Sequence, residues 1–232
     1  MKKAIVFDFD GTLTPKEQNV WKLLWQKCGY KTDKTSLYAQ LYVQHILKKE
    51  ISRKQWFDFT CDAFQKAGLT EDQFLDVSNK ISLIPGVKET IVELTNKGYD
   101  LYIVSGCIKQ TIEKVLGEYV KYFRHIESNN CLFDKDGLIQ SLIPTLYDYE
   151  GKAQFVENLK QEGYATKDIV FVGNADNDEW VYKTGCKTIC INPDGAEITN
   201  RKKWKHVYKN VSNLSHILPT LITPQMEIDN FI

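Results

Sequence analysis

The chain carries no net charge, its 30 Lys and Arg being matched by 30 Asp and Glu over 232 residues. That balance removes the electrostatic basis for a nucleic-acid or membrane-surface binder. A long apolar run is also lacking: Met1-Lys2-Lys3 is followed by only four apolar residues, far too few for a signal peptide or a membrane span. A cytoplasmic protein with no membrane and no nucleic-acid partner is therefore expected, and its six cysteines are expected to be reduced thiols. Cys186 and Cys190, four residues apart on a strand, would stand roughly 13 Å apart and suit neither a disulfide nor a metal clip. No internal repeat or low-complexity tract is present, and the basic cluster of Arg201, Lys202, Lys203 and Lys205 is short enough for a solvated loop. Asn210-Val211-Ser212 would be a glycosylation acceptor only in a secreted chain. The length suits one large domain or one domain carrying an insertion.

What is present is an apolar run, Ala4-Ile5-Val6-Phe7, that ends abruptly in Asp8-Phe9-Asp10-Gly11-Thr12-Leu13-Thr14. A continuous Val/Ile/Phe run fits a strand covered on both faces, as in a parallel sheet. Ligands of such sheets bind at the carboxyl ends of the strands. Side chains two apart on extended backbone point the same way, so Asp8 and Asp10 face one site, and Gly11 permits a sharp turn. Two neighbouring carboxylates repel, and persist by sharing a proton or by holding a cation. Magnesium takes oxygen ligands, commonly one or two carboxylates with substrate phosphate and water. One acid could then act as nucleophile and the other as proton donor. Turn-forming acids after a strand would also give this spelling, but would leave Thr12 and Thr14 unexplained.

Further along, strand-like and helix-like stretches alternate. Val87, Ile91 and Leu94 fall at helical spacing before Gly98; Leu101-Tyr102-Ile103-Val104 reads as a buried strand; Ile108, Ile112, Val115 and Leu116 mark the next helix. Phe155, Val156 and Leu159 mark another helix after Glu150-Gly151-Lys152. Ile169 to Val172 and Thr188 to Ile191 are two more strands, with a short edge strand at His206-Val207-Tyr208. Such alternation implies βαβ crossovers and a parallel sheet. Residues 15–84 break the rhythm: no buried-strand run appears, while Trp21, Leu24, Trp25 and Cys28, and again Phe57, Thr60, Cys61 and Phe64, lie on helical faces. The economical reading is a helical insertion that covers the carboxylate pair, with Pro85-Gly86 marking the return. The expected architecture is thus an α/β, Rossmann-like doubly wound core built from residues 1–14 and 85–232, with a helical cap domain over 15–84.

Other strand ends offer candidate partners. Ser105, between a strand and a helix, fits a helix N-cap or, with Gly106, a phosphate-oxygen ligand. Lys152 falls in the first turn of its helix, where a cation opposes the macrodipole at a cost of about a few tenths of a kcal/mol; a role in neutralising phosphate and acids would account for it, as would simple solvation. Asn174, Asp176 and Asp178 alternate like a calcium loop, but Glu179 stands where an EF-hand needs glycine and a strand precedes instead of a helix. These groups suit the completion of a magnesium site better. Phe133-Asp134-Lys135-Asp136-Gly137 repeats the two-acid spelling without the preceding apolar run, and reads as a hairpin turn.

Taken together, these motifs resemble the haloacid dehalogenase superfamily of aspartate-nucleophile phosphohydrolases, over nearly the whole chain. Asp8, Asp10, Gly11 and Thr12 match the first motif, Ser105 the second, Lys152 the third and Gly173 to Asp178 the acidic fourth. The resemblance implies Asp8 as nucleophile and Asp10 as general acid/base. It implies phosphate binding by Thr12, Ser105, Gly106 and Lys152, and magnesium held by Asp8, the Asp10 main-chain carbonyl, Asn174 and Asp178. Asn174 departs from the family pattern, which has aspartate directly after the glycine. Asp10 argues against the dehalogenase branch, where halide departure needs no proton donor.

The insertion is similar to that of the phosphoserine phosphatase-like branch with a helical cap. Members acting on phosphoserine use a cap glutamate and a cap arginine. Glu17 falls at the glutamate's distance from the first motif, whereas counting back from Gly86 puts Asp62 in the arginine's place, Arg53 being the only cap arginine. The expected function is a magnesium-dependent phosphomonoester hydrolase acting on a small phosphorylated metabolite through an aspartyl-phosphate. A phosphotransferase or phosphomutase of the same fold is one alternative; a non-catalytic phospho-ligand binder, suggested by Asn174, is another.

Overall fold

In the computed structural model, residues 2–47, 50–193 and 203–223 are described. The strands are β1 (Lys3–Phe7), β2 (Tyr99–Ile108), β3 (Phe123–Phe133), β4 (Ile139–Ile143), β5 (Ile169–Gly173), β6 (Lys187–Ile191) and β7 (His206–Tyr208). They form one sheet in the order β4-β3-β2-β1-β5-β6-β7. Every neighbouring pair is parallel except β3 with β4, which are joined by the turn at Asp134 to Gly137 expected from the sequence.

Alternation along the central strands divides the apolar residues between two layers. Ile5, Phe7, Leu101, Ile103, Val170 and Val172 face one layer; Ala4, Val6, Tyr102, Val104, Ile169 and Phe171 face the other. Burial on both faces is why these strands read as unbroken apolar runs. The first layer contains α5 (Val87–Asn96) and α6 (Lys109–Leu116), and the second α7 (Glu150–Gln161), whose Phe155, Val156 and Leu159 pack on the sheet. The doubly wound α/β core is as expected.

Between β1 and α5 the chain forms α1 (Val20–Lys27), α2 (Leu37–Tyr42), α3 (Arg53–Lys66) and α4 (Glu71–Ser78). Capping boxes start two of them, Ser52 with Gln55 on α3 and Thr70 with Gln73 on α4; each satisfies two orphan amides at the helix start. Their apolar faces, including Trp25, Phe64 and Phe74, join the same cluster as the first layer of the sheet. A final short helix, α8 (Leu218–Ile222), follows β7. Among the described residues no helix is long and apolar enough to cross a membrane.

Two sequence expectations need correction. β2 runs on to Ile108, so Ile108 belongs to the strand and Ser105 is a strand residue; the N-cap of α6 is Ile108, with no side-chain cap. β3 extends over eleven residues ahead of the hairpin turn, a strand the sequence does not show, because polar residues from Arg124 to Asn130 break its apolar run at exposed and buried positions alike. Of the basic cluster, Arg201 and Lys202 lie outside the described residues, Lys203 pairs with Glu179, and Lys205 is exposed.

Candidate active site

β1 lies at the topological switch point, with β2 on one side and β5 on the other, and crevices at such points are where open α/β sheets bind ligands. Three adjacent strands bring Asp8 and Asn174, just past the ends of β1 and β5, and Ser105, within β2, to one place. The Asp8 amide donates to the Val172 carbonyl at 2.8 Å, so pairing with β5 continues one residue past β1. Phe9 then turns into the core while Asp8 and Asp10 turn toward the crevice, the alternation that extended backbone dictates. Gly11 follows at φ +77°, and a Cβ there would stand 2.2 Å from the Asn174 side-chain amide. The missing side chain is what lets Asn174 lie against the loop.

Lys152, in the first turn of α7, is fully buried, with Nζ 2.8 Å from Asp8 Oδ1 and 2.5 Å from Asp178 Oδ1. Burial would lower its pKa, but the charges of Asp178 and Asp8 outweigh that and raise it, so the ammonium stays protonated. Two carboxylates thus answer the unfavourable helix position noted from the sequence. Asp178 also accepts from the Asn174 and Ala175 amides at 2.9 and 3.0 Å through Oδ2. Both its oxygens are engaged, which leaves Asp178 holding the loop and the lysine instead of facing the cavity.

Burial pushes the Asp8 carboxyl up to about 6; Lys152 opposes this and Asp178 adds to it. Asp10 is pushed up to about 7 by burial and by the Asp8 charge, against a smaller lowering from the Cys107 thiol. Its Oδ1 is buried without a hydrogen-bond partner. The Ser105 hydroxyl accepts from the Cys107 amide at 3.2 Å and borders the cavity beside Gly106. Thr12 is fully buried; its hydroxyl lies 3.5 Å from Asp8 Oδ2 and 3.4 Å from Asn174 Oδ1, long for O–H···O bonds. Thr12, Lys152 and Asp178 therefore sit behind the nucleophile candidate, while Asp8, Asp10, Ser105, Gly106 and Asn174 border the cavity.

That cavity has a volume of about 770 Å³ and its opposite wall comes from the inserted helices. Glu17, exposed on the turn Lys16–Gln18, borders it. Asp62 does not: it is exposed on α3. Arg53, nine residues earlier, borders the cavity instead, and at about 100° per residue nine residues put the two on opposite sides of the helix. The place given to Asp62 from the sequence is corrected accordingly. Arg53 Nη2 lies 3.2 Å from Asp148 Oδ2 and 3.3 Å from Asn129 Oδ1. Asn129, Asp148 and Asn177 border the same cavity and were not identified from the sequence, where only the position of Asp148 four residues before Lys152 hinted at a role.

The donor set suits a hard divalent cation. Asp8 Oδ2 and Asn174 Oδ1 converge on the Thr12 hydroxyl without short bonds to it, and Gly11 makes room for Asn174. Oxygen-only donors of this kind match magnesium. Among the described residues no group of three or more His, Cys, Asp and Glu side chains is placed to hold a metal; the third side chain here is an amide. The six cysteines are free.

The chain is 27% identical over 201 residues to a phosphoserine phosphatase from Methanocaldococcus jannaschii, covering 83% of this chain and 87% of that one. It is 29% identical over 184 residues to one from Mycobacterium tuberculosis, covering 76% of this chain but 41% of that longer protein. A solved structure of a phosphoserine phosphatase with a phospho-aspartyl intermediate analogue superposes with a TM-score of 0.73 at 21% identity, covering 95% of this chain and 99% of that one, which shows the shared fold. The family model for haloacid dehalogenase-like hydrolases matches residues 2–181, and the chain belongs to that family, as a phosphoserine phosphatase-like member.

Proposed function

We propose that the protein is a magnesium-dependent phosphomonoester hydrolase acting on a small phosphorylated metabolite through an aspartyl-phosphate on Asp8. The observation that carries this reading is the arrangement of Asp8, oriented by buried Lys152, beside Asp10, whose buried Oδ1 has no partner. An Asp8 carboxylate oxygen attacks phosphorus and the bond to the leaving oxygen breaks. Asp10, whose carboxyl burial and the Asp8 charge push up to about 7, gives its proton to that oxygen. Asp10 then takes a proton from water, which attacks the phosphorus and breaks its bond to Asp8, releasing phosphate. Ser105 and Gly106 face the phosphate oxygens. Asp8, Asn174 and the Asp10 carbonyl would hold magnesium, which when bound offsets phosphate charge; Asp178 acts by positioning Lys152 and the Asn174 loop. We place the protein in the cytoplasm, a reading its free thiols support. A domain boundary at 14/15 and 84/85 is part of the same proposal.

Purified protein is expected to release phosphate from small phosphomonoesters with magnesium and to lose this with a chelator; no release at any magnesium concentration would overturn the reading. Asp10→Asn is expected to lower kcat by about 10² to 10⁴ while inorganic phosphate still binds; an unchanged kcat would remove its acid/base role. Asn174→Asp adds a charged oxygen donor at the loop. The magnesium concentration giving half-maximal thermal stabilisation should fall by about tenfold, and an unchanged midpoint would place the metal elsewhere.

A further inference from the structure

The leaving-group side of the cavity carries two features that the phosphate chemistry does not use. The first is a buried arrangement around Arg53. Its guanidinium pairs with Asp148, the two side chains only 23% and 11% exposed. Asp148 is held in turn: Oδ1 accepts from Asn177 Nδ2 at 3.1 Å and from the Tyr149 amide at 3.0 Å. Gly106 leaves room for it, since a Cβ there would lie 2.7 Å from Asp148 Oδ2. A substrate carboxylate seeking Arg53 has to compete with a carboxylate already fixed in place. The arginine is present, but its charge is answered.

The second feature is an aromatic wall. Tyr38 and Tyr42 are one turn apart on α2 and so share a face; with Trp56 and Tyr149 they border the cavity. Burial pushes the Tyr38 hydroxyl up to about 12, with neighbouring Tyr42 and the Asp10 charge adding to the shift. Burial raises Tyr149 too, and Asp148, Tyr42 and Tyr38 add to that. These rings line the same cavity as Asp10 and Asp148. His45 joins them, 6.4 Å from the Trp56 ring and 6.3 Å from Tyr149. A cavity of about 770 Å³ is of the size that holds a drug-sized ligand, and flat ring faces bind other rings by stacking or edge contact.

We propose that the cavity selects a phosphomonoester whose leaving group carries an aromatic or heteroaromatic ring and no carboxylate beside the phosphate. Asp148 is the specificity-determining residue that withholds Arg53, and Tyr38, Tyr42 and Trp56 receive the ring. This rests on the phosphomonoesterase reading above. Benzyl phosphate, ethyl phosphate and O-phospho-L-serine are all esters of primary alcohols, so their kcat/KM values compare recognition more than leaving-group chemistry. The wild type is expected to favour benzyl phosphate over phosphoserine by at least about tenfold. Asp148→Asn should shrink that ratio about tenfold by raising kcat/KM for phosphoserine, and Trp56→Ala should shrink it by lowering kcat/KM for benzyl phosphate. Tyr42→Ala, at an exposed position, gives the second reading if Trp56→Ala does not fold. A wild type that prefers phosphoserine, or a ratio that neither Asp148→Asn nor the aromatic variants move, overturns the proposal and leaves the phosphatase reading standing. Hydrolysis of none of the three esters overturns both.

Discussion

Asp8→Asn is expected to lower kcat on the order of 10⁴-fold or more while leaving the protein folded. The amide keeps an oxygen that can accept from Lys152, which now bonds Asp8 Oδ1 at 2.8 Å, so the orienting contact survives. What is lost is the negative oxygen that forms the bond to phosphorus, and no neighbouring group can replace it. Asp178 has both oxygens engaged by Lys152 and two backbone amides, and Asp10 is pushed up to about 7 and placed to move a proton. The cost to folding should be small. Burial raises the Asp8 carboxyl to about 6, which means that its charge opposes folding at neutral pH; removing that charge offsets part of what Lys152 loses. Acid-quenched wild type incubated with ³²P-labelled substrate should carry label on the protein, and the variant should carry none. Substantial phosphate release by a folded Asp8→Asn protein would sink the covalent route.

Much of this site could be read before any fold was known, and its physical causes explain what could not. The strands that carry Asp8 and Asn174 are buried on both faces, so they appear as runs such as Ile5-Val6-Phe7 and Ile169-Val170-Phe171, and the polar residues that follow them stand out. β3 was hidden because His125, Glu127 and Asn130 interrupt its apolar positions, and with it went Asn129, which touches Arg53. Ser105 looked like a helix cap because a polar residue after Ile103-Val104 mimics a strand end; the backbone stays extended as far as Ile108. Arg53 and Asp62 could not be told apart by counting back from Gly86, since loop lengths shift such counts. Helix geometry separates them at once. Lys152 showed only as a misplaced cation: its partners are 144 and 26 residues away in sequence, and no local pattern encodes a contact of that range.

That cation gives the largest expected effect on stability. Lys152→Met fills a similar volume but removes the ammonium that pairs with two carboxylates that are almost fully buried. Breaking a buried ion pair from one side costs about 3–5 kcal/mol, because the remaining charge is left without compensation. For a chain of this size that corresponds to a Tm lower by roughly 10 °C at neutral pH. The loss should depend on pH with a definite sign. The folded pKa of Lys152 is raised above 10.5, so its stabilising contribution is fully present throughout the neutral range. Asp8 has its folded value raised from 3.8 to about 6, so its charge opposes folding increasingly as pH rises through that window. Without the ammonium, which lowers that value, the window extends further upward. The deficit of Lys152→Met should therefore be largest above about pH 7 and shrink toward pH 5, where the Asp8 carboxyl of the variant takes up a proton on folding. Adding Asp178→Asn should restore part of the lost stability, since the pair then loses both charges instead of one. Paired melting curves at pH 5 and pH 7.5 decide the matter: equal deficits at the two values, or a neutral-pH loss of only a degree or two, would mean that Lys152 does not neutralise these carboxylates.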